Sequence, residues 1–364
     1  MNDDRIIFDV SLIPASLRGC VVTIGNFDGV HLGHQRILRA CREAADARRA
    51  AVVAVTFDPL PEAVLFPGQA PPLILPLAQR VRRLLAHGAD GVVALPVTPD
   101  LLALSAQEFV DDLLVRHLAP TLVVEGANFF FGRRREGDIT TLETLGRTRG
   151  FTVSVVESVR DAGVLRGEGV SPSCFAGVPP ASDVPFIPAC EGGLSSSNGQ
   201  ANGAHNAGET PAPRETRISS TLIRELVRDG RVEEAAACLG EPFALFGRVV
   251  AGKRRGRLMG FPTINVQPGD QAIPGDGVYA GLANIEGLRH LAAVSVGHNP
   301  TFAPETRTVE AFLLDTHGDF YDKDVALSFL HRLRDPHRFD SAQALTRQIE
   351  RDVEAIRTLL GENR

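Results

Sequence analysis

An apolar lead-in, Val21, Val22 and Ile24, runs into Gly25-Asn26-Phe27-Asp28-Gly29-Val30-His31-Leu32-Gly33-His34, and a helix-compatible stretch follows from Gln35 to Ala47. A strand, a glycine-punctuated turn and a helix in that order bring backbone N–H groups and a helix N-terminus close to a bound anion, most often a phosphate. Gly25, Phe27 and Gly33 of this turn are the residues expected to bind the ATP phosphates. His31 and His34 fall on one face of the first helical turn. From there they can donate hydrogen bonds to phosphate oxygens and to charge that develops during phosphoryl or nucleotidyl transfer. The same spacing serves metal ligation, but the flanking glycines and the lack of a nearby cysteine or carboxylate cluster favour phosphate chemistry.

The alternation continues through the first half. Apolar runs at Cys20–Ile24, Ala51–Phe57, Gly91–Leu95, Thr121–Val124 and Phe151–Val156 have the length of strands buried on both faces. Helical patterns lie between them at His34–Arg48, Leu77–Ala86 and Ala106–Leu118, the last opened by the capping-box spacing Ser105-Ala106-Gln107-Glu108. Strands alternating with helices predict a Rossmann-like parallel sheet. Ligands of such sheets bind beyond the carboxyl ends of the strands, where the Gly25–His34 turn falls.

A chain of 364 residues has room for two domains with separate cores. A net charge of −6 argues against nucleic acid or an anionic membrane as the main partner. The N-terminus lacks the pattern of a signal peptide, and no run is apolar over the length needed to span a bilayer. Five scattered cysteines fit reduced thiols better than a disulfide framework, so a cytoplasmic setting is expected. Nothing in the sequence specifies an oligomeric state.

From 161 to 215 the chain is rich in Gly, Ser, Ala, Pro and Asn without periodicity, and reads as a low-complexity, disordered insertion. Pattern returns at Arg217-Ile218-Ser219-Ser220-Thr221-Leu222-Ile223-Arg224, followed by two short helices ending near Gly230 and Gly240. Ser220 and Thr221 are good helix caps. With Arg217 and Arg224 beside them, they also read as a second phosphate clamp.

Beyond residue 241 consecutive strands appear without intervening helices, at Phe243–Ala251, Gly277–Asn284, Leu291–Val296, Thr308–Asp315 and Val325–Leu330. They predict an antiparallel sheet or small β-barrel, closed by a terminal amphipathic helix over Ser341–Leu360. Gly252, Lys253, Gly256 and Arg257 form a flexible cationic flap suited to ATP phosphates. Thr263 and Asn265 offer oxygen ligands suited to Mg²⁺. No Gly-x-x-x-x-Gly-Lys-Ser/Thr loop occurs.

These segments together resemble the bacterial bifunctional riboflavin kinase/FMN adenylyltransferase (FAD synthetase) family. The matching motifs are Gly25–His34, Thr56-Phe57-Asp58-Pro59, Glu125-Gly126-Ala127-Asn128-Phe129-Phe130-Phe131-Gly132, Arg135-Glu136-Gly137-Asp138 and Ile218–Arg224. Gly256-Arg257-x-x-Gly260-Phe261-Pro262-Thr263-x-Asn265 and Val309-Glu310 leading to Leu314-Asp315 extend the match. The resemblance covers the chain outside 161–215. It implies an adenylyltransferase domain over 1–160 and 216–240, and a six-stranded flavokinase barrel over 241–364. The implied ligands are riboflavin, FMN, FAD and ATP with Mg²⁺. It also implies that Glu310 is the base that activates the riboflavin hydroxyl, and that Asn128 contacts flavin or nucleotide. Phe27, Phe129, Phe130 and Phe131 offer faces for a planar ring or places in the core. The chain departs from the family pattern at Leu60, where a His is common, and in the insertion before Arg217.

Overall fold

A computed structural model gives the fold and describes residues 5–160, 216–251, 261–298, 307–316 and 318–361. The expected insertion at 161–215 lies outside them. Two compact units emerge. One holds the residues up to Pro71, then Leu75 to 160 and 216–219; the other holds Pro72–Ile74 and the chain from Ser220 onward.

The first unit is built on a six-stranded, wholly parallel sheet. Its strands are β1 (Ile6–Ile7), β2 (Val21–Ile24), β3 (Val52–Asp58), β4 (Gly91–Pro96), β5 (Leu122–Gly126) and β6 (Thr152–Val156), in the order β1-β4-β3-β2-β5-β6. Helices α1 (Leu32–Arg48), α2 (Pro61–Leu65), α3 (Leu77–Ala86), α4 (Pro99–Ala103), α5 (Ala106–Glu108) and α6 (Ile139–Arg149) connect the strands. The central strands are continuous apolar runs because both faces are covered; every residue of β2 is buried. The chain steps outward from β2 through β3 to β4, then returns to the other side of β2 as β5. The reversal puts a switch point at the carboxyl ends of β2 and β5, the place where such sheets bind ligands.

Two expectations need correction. The apolar run Phe151–Val156 predicts a strand buried on both faces, yet β6 is the outermost strand beyond β5 and Val155 is 43% exposed. The helix over Ala106–Leu118 is α-helical only through Glu108; the capping box is present, and Phe109–Leu118 then widens into a π-helix. Its end is closed by the Ala119 N–H on the Leu114 carbonyl at 2.9 Å, a bond spanning five residues.

The second unit opens with α7 (Ser220–Arg228) and α8 (Val232–Leu239). Strands β7 (Phe243–Val250), β8 (Thr263–Gln267), β9 (Gly277–Ile285), β10 (Leu288–His298), β11 (Arg307–Leu313) and β12 (Asp324–Arg334) follow, closing into an antiparallel barrel in the order β10-β11-β8-β7-β12-β9. The sequence reading named five of the six. The sixth, β8, was hidden behind a glycine- and arginine-rich approach, although Thr263-Ile264-Asn265-Val266-Gln267 alternates polar and apolar as a strand should. Helix α9 (Ala342–Gly361) lays Ile356 against Ala280 and Leu314, with Phe312 and Ala293 packed beside them. It is tied to β12 by Arg334, whose Nε and Nη2 donate to the two Asp352 carboxylate oxygens at 3.0 and 2.7 Å.

Candidate active site

At the end of β2 the chain turns sharply. Phe27 (φ 48°), Gly29 (φ 88°) and Val30 (φ 42°) all take left-handed backbone angles, an unfavourable choice for two bulky side chains. The Val30 N–H closes this turn on the Phe27 carbonyl at 3.0 Å. His31 then caps α1, a helix of 17 residues, with no side-chain hydrogen bond to its first amides. Those amides and the helix dipole therefore remain available to an anion.

The His31 and His34 rings stack, with centroids 3.7 Å apart and planes 17° from parallel, and the Phe27 ring meets His34 edge-on at 5.1 Å. Gly33 makes the stack possible: a Cβ there would lie 3.0 Å from the His31 ring. Burial pushes His31 down to about pKa 4, with the nearby Arg217 charge acting in the same direction. Burial, and then the His31 charge, hold His34 well below the ordinary histidine range. Both rings are thus neutral at pH 7. The Nδ1 atom of each is buried without a hydrogen-bond partner among the described residues. Two such imidazole nitrogens beside the first amides of α1 are suited to a polar, anionic ligand.

The walls of this site come from β3, α2 and α3. Asn26 Nδ2 donates to the Glu62 carboxylate at 3.2 and 3.3 Å, and the Asp28 carboxylate accepts the Leu75 N–H at 3.0 Å. Two arginines of α3, which sequence reasoning passed over, reach the turn. Arg80 Nη1 donates to the Asn26 carbonyl at 2.9 Å and Arg83 Nη1 to the Gly29 carbonyl at 3.0 Å. Arg80 is fully buried, a place no amphipathic pattern assigns to a charge. Glu125 was also missed as more than a motif letter. It is buried at the end of β5, accepts the Ile24 N–H at 2.6 Å, and burial raises its pKa well above the carboxylate range.

The other expected residues divide. Phe27 and Phe131 are core, at 1% and 6% exposure, so their faces are taken. Phe129 stacks on Phe131 at 5.4 Å. Phe130 is 47% exposed and carries the Arg135 guanidinium over its ring at 4.7 Å, while Asn128 is exposed beside Ser158. Leu60 is buried just ahead of α2. Gly25 packs against the Phe27 ring and stands at the mouth of the turn. Arg217 belongs to the first unit through its bridge to Arg160. Ser220, Thr221 and Arg224 stand on α7 in the second unit, where Arg224 Nε donates to the Pro72 carbonyl at 2.8 Å. Gly252, Lys253, Gly256 and Arg257 lie outside the described residues.

In the barrel, Glu310 of β11 lies opposite Asn265 of β8 on one side and Ser295 of β10 on the other. Thr263 is two residues from Asn265 and shares its face. The intervening Ile264, Val309 and Ala311 are buried in the barrel, so Thr263, Asn265 and Glu310 are turned to its opposite face. Nearby, Phe261 meets Phe312 edge-on at 5.2 Å. The Thr263 hydroxyl and the Asn265 amide oxygen are hard donors suited to Mg²⁺ carried mainly by phosphate oxygens, and the Glu310 carboxylate stands beside them.

The family model described as FAD synthetase matches residues 13–166, and that described as riboflavin kinase matches residues 239–360. A relative from Escherichia coli (strain K12), named bifunctional riboflavin kinase/FMN adenylyltransferase, is 32% identical over 352 residues, 96% of this chain and 96% of its own. A relative of the same name from Pseudomonas fluorescens is 33% identical over 343 residues, 94% of this chain and 93% of its own. A crystal structure described as a macrolide-efflux protein from Streptococcus pneumoniae is 28% identical, with a TM-score of 0.75 over 97% of this chain and 98% of its own. Among the described residues of the present chain, no helix is long and apolar enough to cross a membrane.

Proposed function

The chain belongs to the family of bifunctional riboflavin kinase/FMN adenylyltransferases, and from that premise we propose that its two compact units divide the two reactions between them. The enzyme phosphorylates riboflavin with ATP to give FMN, and adenylylates FMN with a second ATP to give FAD and pyrophosphate. The parallel-sheet unit takes the adenylyl transfer and the barrel unit the phosphorylation. The buried free thiols of Cys20 and Cys41 suit a reducing cytoplasm, where we place both reactions.

For adenylyl transfer the observation that carries the reading is the stacked, neutral His31–His34 pair at the uncapped start of α1. The FMN phosphate arrives as an anion, so its attack on the α-phosphorus needs no protein base. What the site must supply is orientation and donors for charge that builds up on the α-phosphate and the leaving pyrophosphate. Imidazole N–H groups, the α1 amides and Arg217 supply these in a poorly hydrated pocket, where each is stronger than in water. Asn128 and the Phe130 ring stand at the end of β5, across the switch point, and take the flavin or nucleotide. Ser220, Thr221 and Arg224 remain proposed phosphate-binding residues of the second unit on the strength of their hydroxyls and charge.

In the barrel, the riboflavin 5′-hydroxyl is a poor nucleophile at neutral pH. Glu310 accepts its proton as the oxygen attacks the γ-phosphorus of ATP. Thr263 and Asn265 would hold Mg²⁺, which would supply charge neutralisation at the ATP phosphates. Gly252, Lys253, Gly256 and Arg257 remain proposed ATP-phosphate contacts on the strength of their small size and positive charge.

The test is direct. Purified protein incubated with riboflavin, ATP and Mg²⁺, and separately with FMN, ATP and Mg²⁺, is resolved for FMN and FAD by chromatography. The division of labour requires each product to respond only to substitutions in its own unit.

A further inference from the structure

We propose that Arg80 and Arg83 of α3 are positioning residues for adenylyl transfer, holding the strained Asn26–Val30 turn in the shape that presents His31 and the α1 amides to the phosphates. The inference rests on the assignment of that reaction to the first unit, and adds to it residues outside every motif the sequence offers.

The turn cannot hold itself. Phe27 and Val30 have φ of 48° and 42°, left-handed angles that bulky side chains keep only where the surroundings over-determine them. The surroundings here are α3. Arg80 Nη1 and the Thr56 hydroxyl both donate to the Asn26 carbonyl, at 2.9 and 3.1 Å. Arg83, one helical turn further, takes the Gly29 carbonyl at 3.0 Å. The two guanidiniums therefore grip the turn at both ends of its left-handed stretch.

Peptide planarity turns that grip into function. The carbonyl of one residue and the N–H of the next point in opposite directions. Fixing the Asn26 carbonyl toward α3 turns the Phe27 N–H away from it. Fixing the Gly29 carbonyl leaves the Val30 N–H to close the turn on Phe27, which sets where His31 begins the helix. Arg80 is in turn fixed by Asp58, at 3.3 Å from Nη2, so the grip is rigid. A guanidinium suits this task because its planar fork bonds a carbonyl and a carboxylate in fixed directions, which an ammonium group cannot do.

The experiment compares Arg80→Met, Arg83→Met, Arg80→Lys and Arg83→Lys with His31→Ala in the full chain. Each is assayed for kcat and KM in FAD formation from FMN, and for riboflavin phosphorylation as a control that the chain is intact. The methionine variants should lose about 10²-fold in kcat, because a misplaced donor costs the transition state. KM for FMN should change little, and lysine, which keeps the charge and one donor, should restore part of kcat. Full FAD formation in both methionine variants, with His31→Ala inactive, overturns the positioning role alone. Full FAD formation in the His31→Ala protein as well overturns the site assignment beneath it. If Arg80→Met fails to fold, Arg83→Met, at a half-buried position, carries the test.

Discussion

Glu310 and Asn265 face each other across the β11–β8 pair of the barrel, with Thr263 one step along the same face. That register joins a carboxylate able to take a proton to two neutral oxygens able to hold a cation, on neighbouring strands of a rigid, closed barrel.

Asn265→Ala should therefore weaken the metal rather than the base. Riboflavin phosphorylation should demand roughly 10-fold or more Mg²⁺ for half-maximal rate and approach the parent rate at saturation. A Mg²⁺ titration of both proteins checks this, and unchanged curves would remove Asn265 from the metal site.

Replacing His31 or His34 by Ala removes donors worth roughly 2–4 kcal/mol each to the adenylyl-transfer transition state. FMN should accumulate from riboflavin without conversion to FAD. Equal loss of both activities, measured on the same protein, would point to a folding role for the pair.

Gly33→Ala separates activity from stability. Alanine favours the helix over glycine by roughly 0.5–1 kcal/mol, yet its methyl would stand 3.0 Å from the His31 ring. FAD synthesis should fall about 10-fold while resistance to unfolding is kept or raised. Assays paired with circular dichroism melts decide between this and a harmless substitution.

Acid should loosen α1 through the same histidines. His31 titrates at about 4 when folded against 6.5 otherwise, so between those values the unfolded chain binds a proton that the folded one refuses. The stability this residue contributes is present above pH 6.5 and is lost as pH falls toward 4. Hydrogen exchange of α1 amides at pH 7 and pH 5 should show the difference, and His31→Ala should reduce it.

Periodicity and turn chemistry made the alternation before residue 160 readable, because buried parallel strands are continuous apolar runs. Spacing singled out His31 and His34, and the oxygen donors of the Phe-Pro-Thr-x-Asn run singled out Thr263 and Asn265. Glu310 could be chosen only through family resemblance, since a carboxylate on a strand looks like any solvent-facing one until its neighbours are known. Arg80 and Arg83 were illegible for the opposite reason. In a helix reading Leu-Ala-Gln-Arg-Val-Arg-Arg-Leu-Leu-Ala, arginines belong by pattern on the wet face, and only the strained turn beside them explains a buried guanidinium. The strand β8 and the exposed edge β6 show the same limit: neighbours, not composition, decide which face is wet.

The most direct measurement uses the Glu310→Gln protein with each substrate in turn. Glutamine keeps the shape but cannot take the hydroxyl proton. Riboflavin phosphorylation should fall roughly 10²–10⁴-fold. FAD formation from supplied FMN should proceed at the parent rate, because that nucleophile is already ionised and its site lies in the other unit. A Glu310→Gln enzyme that makes FMN at a near-normal rate, or that loses both activities together, would contradict the account.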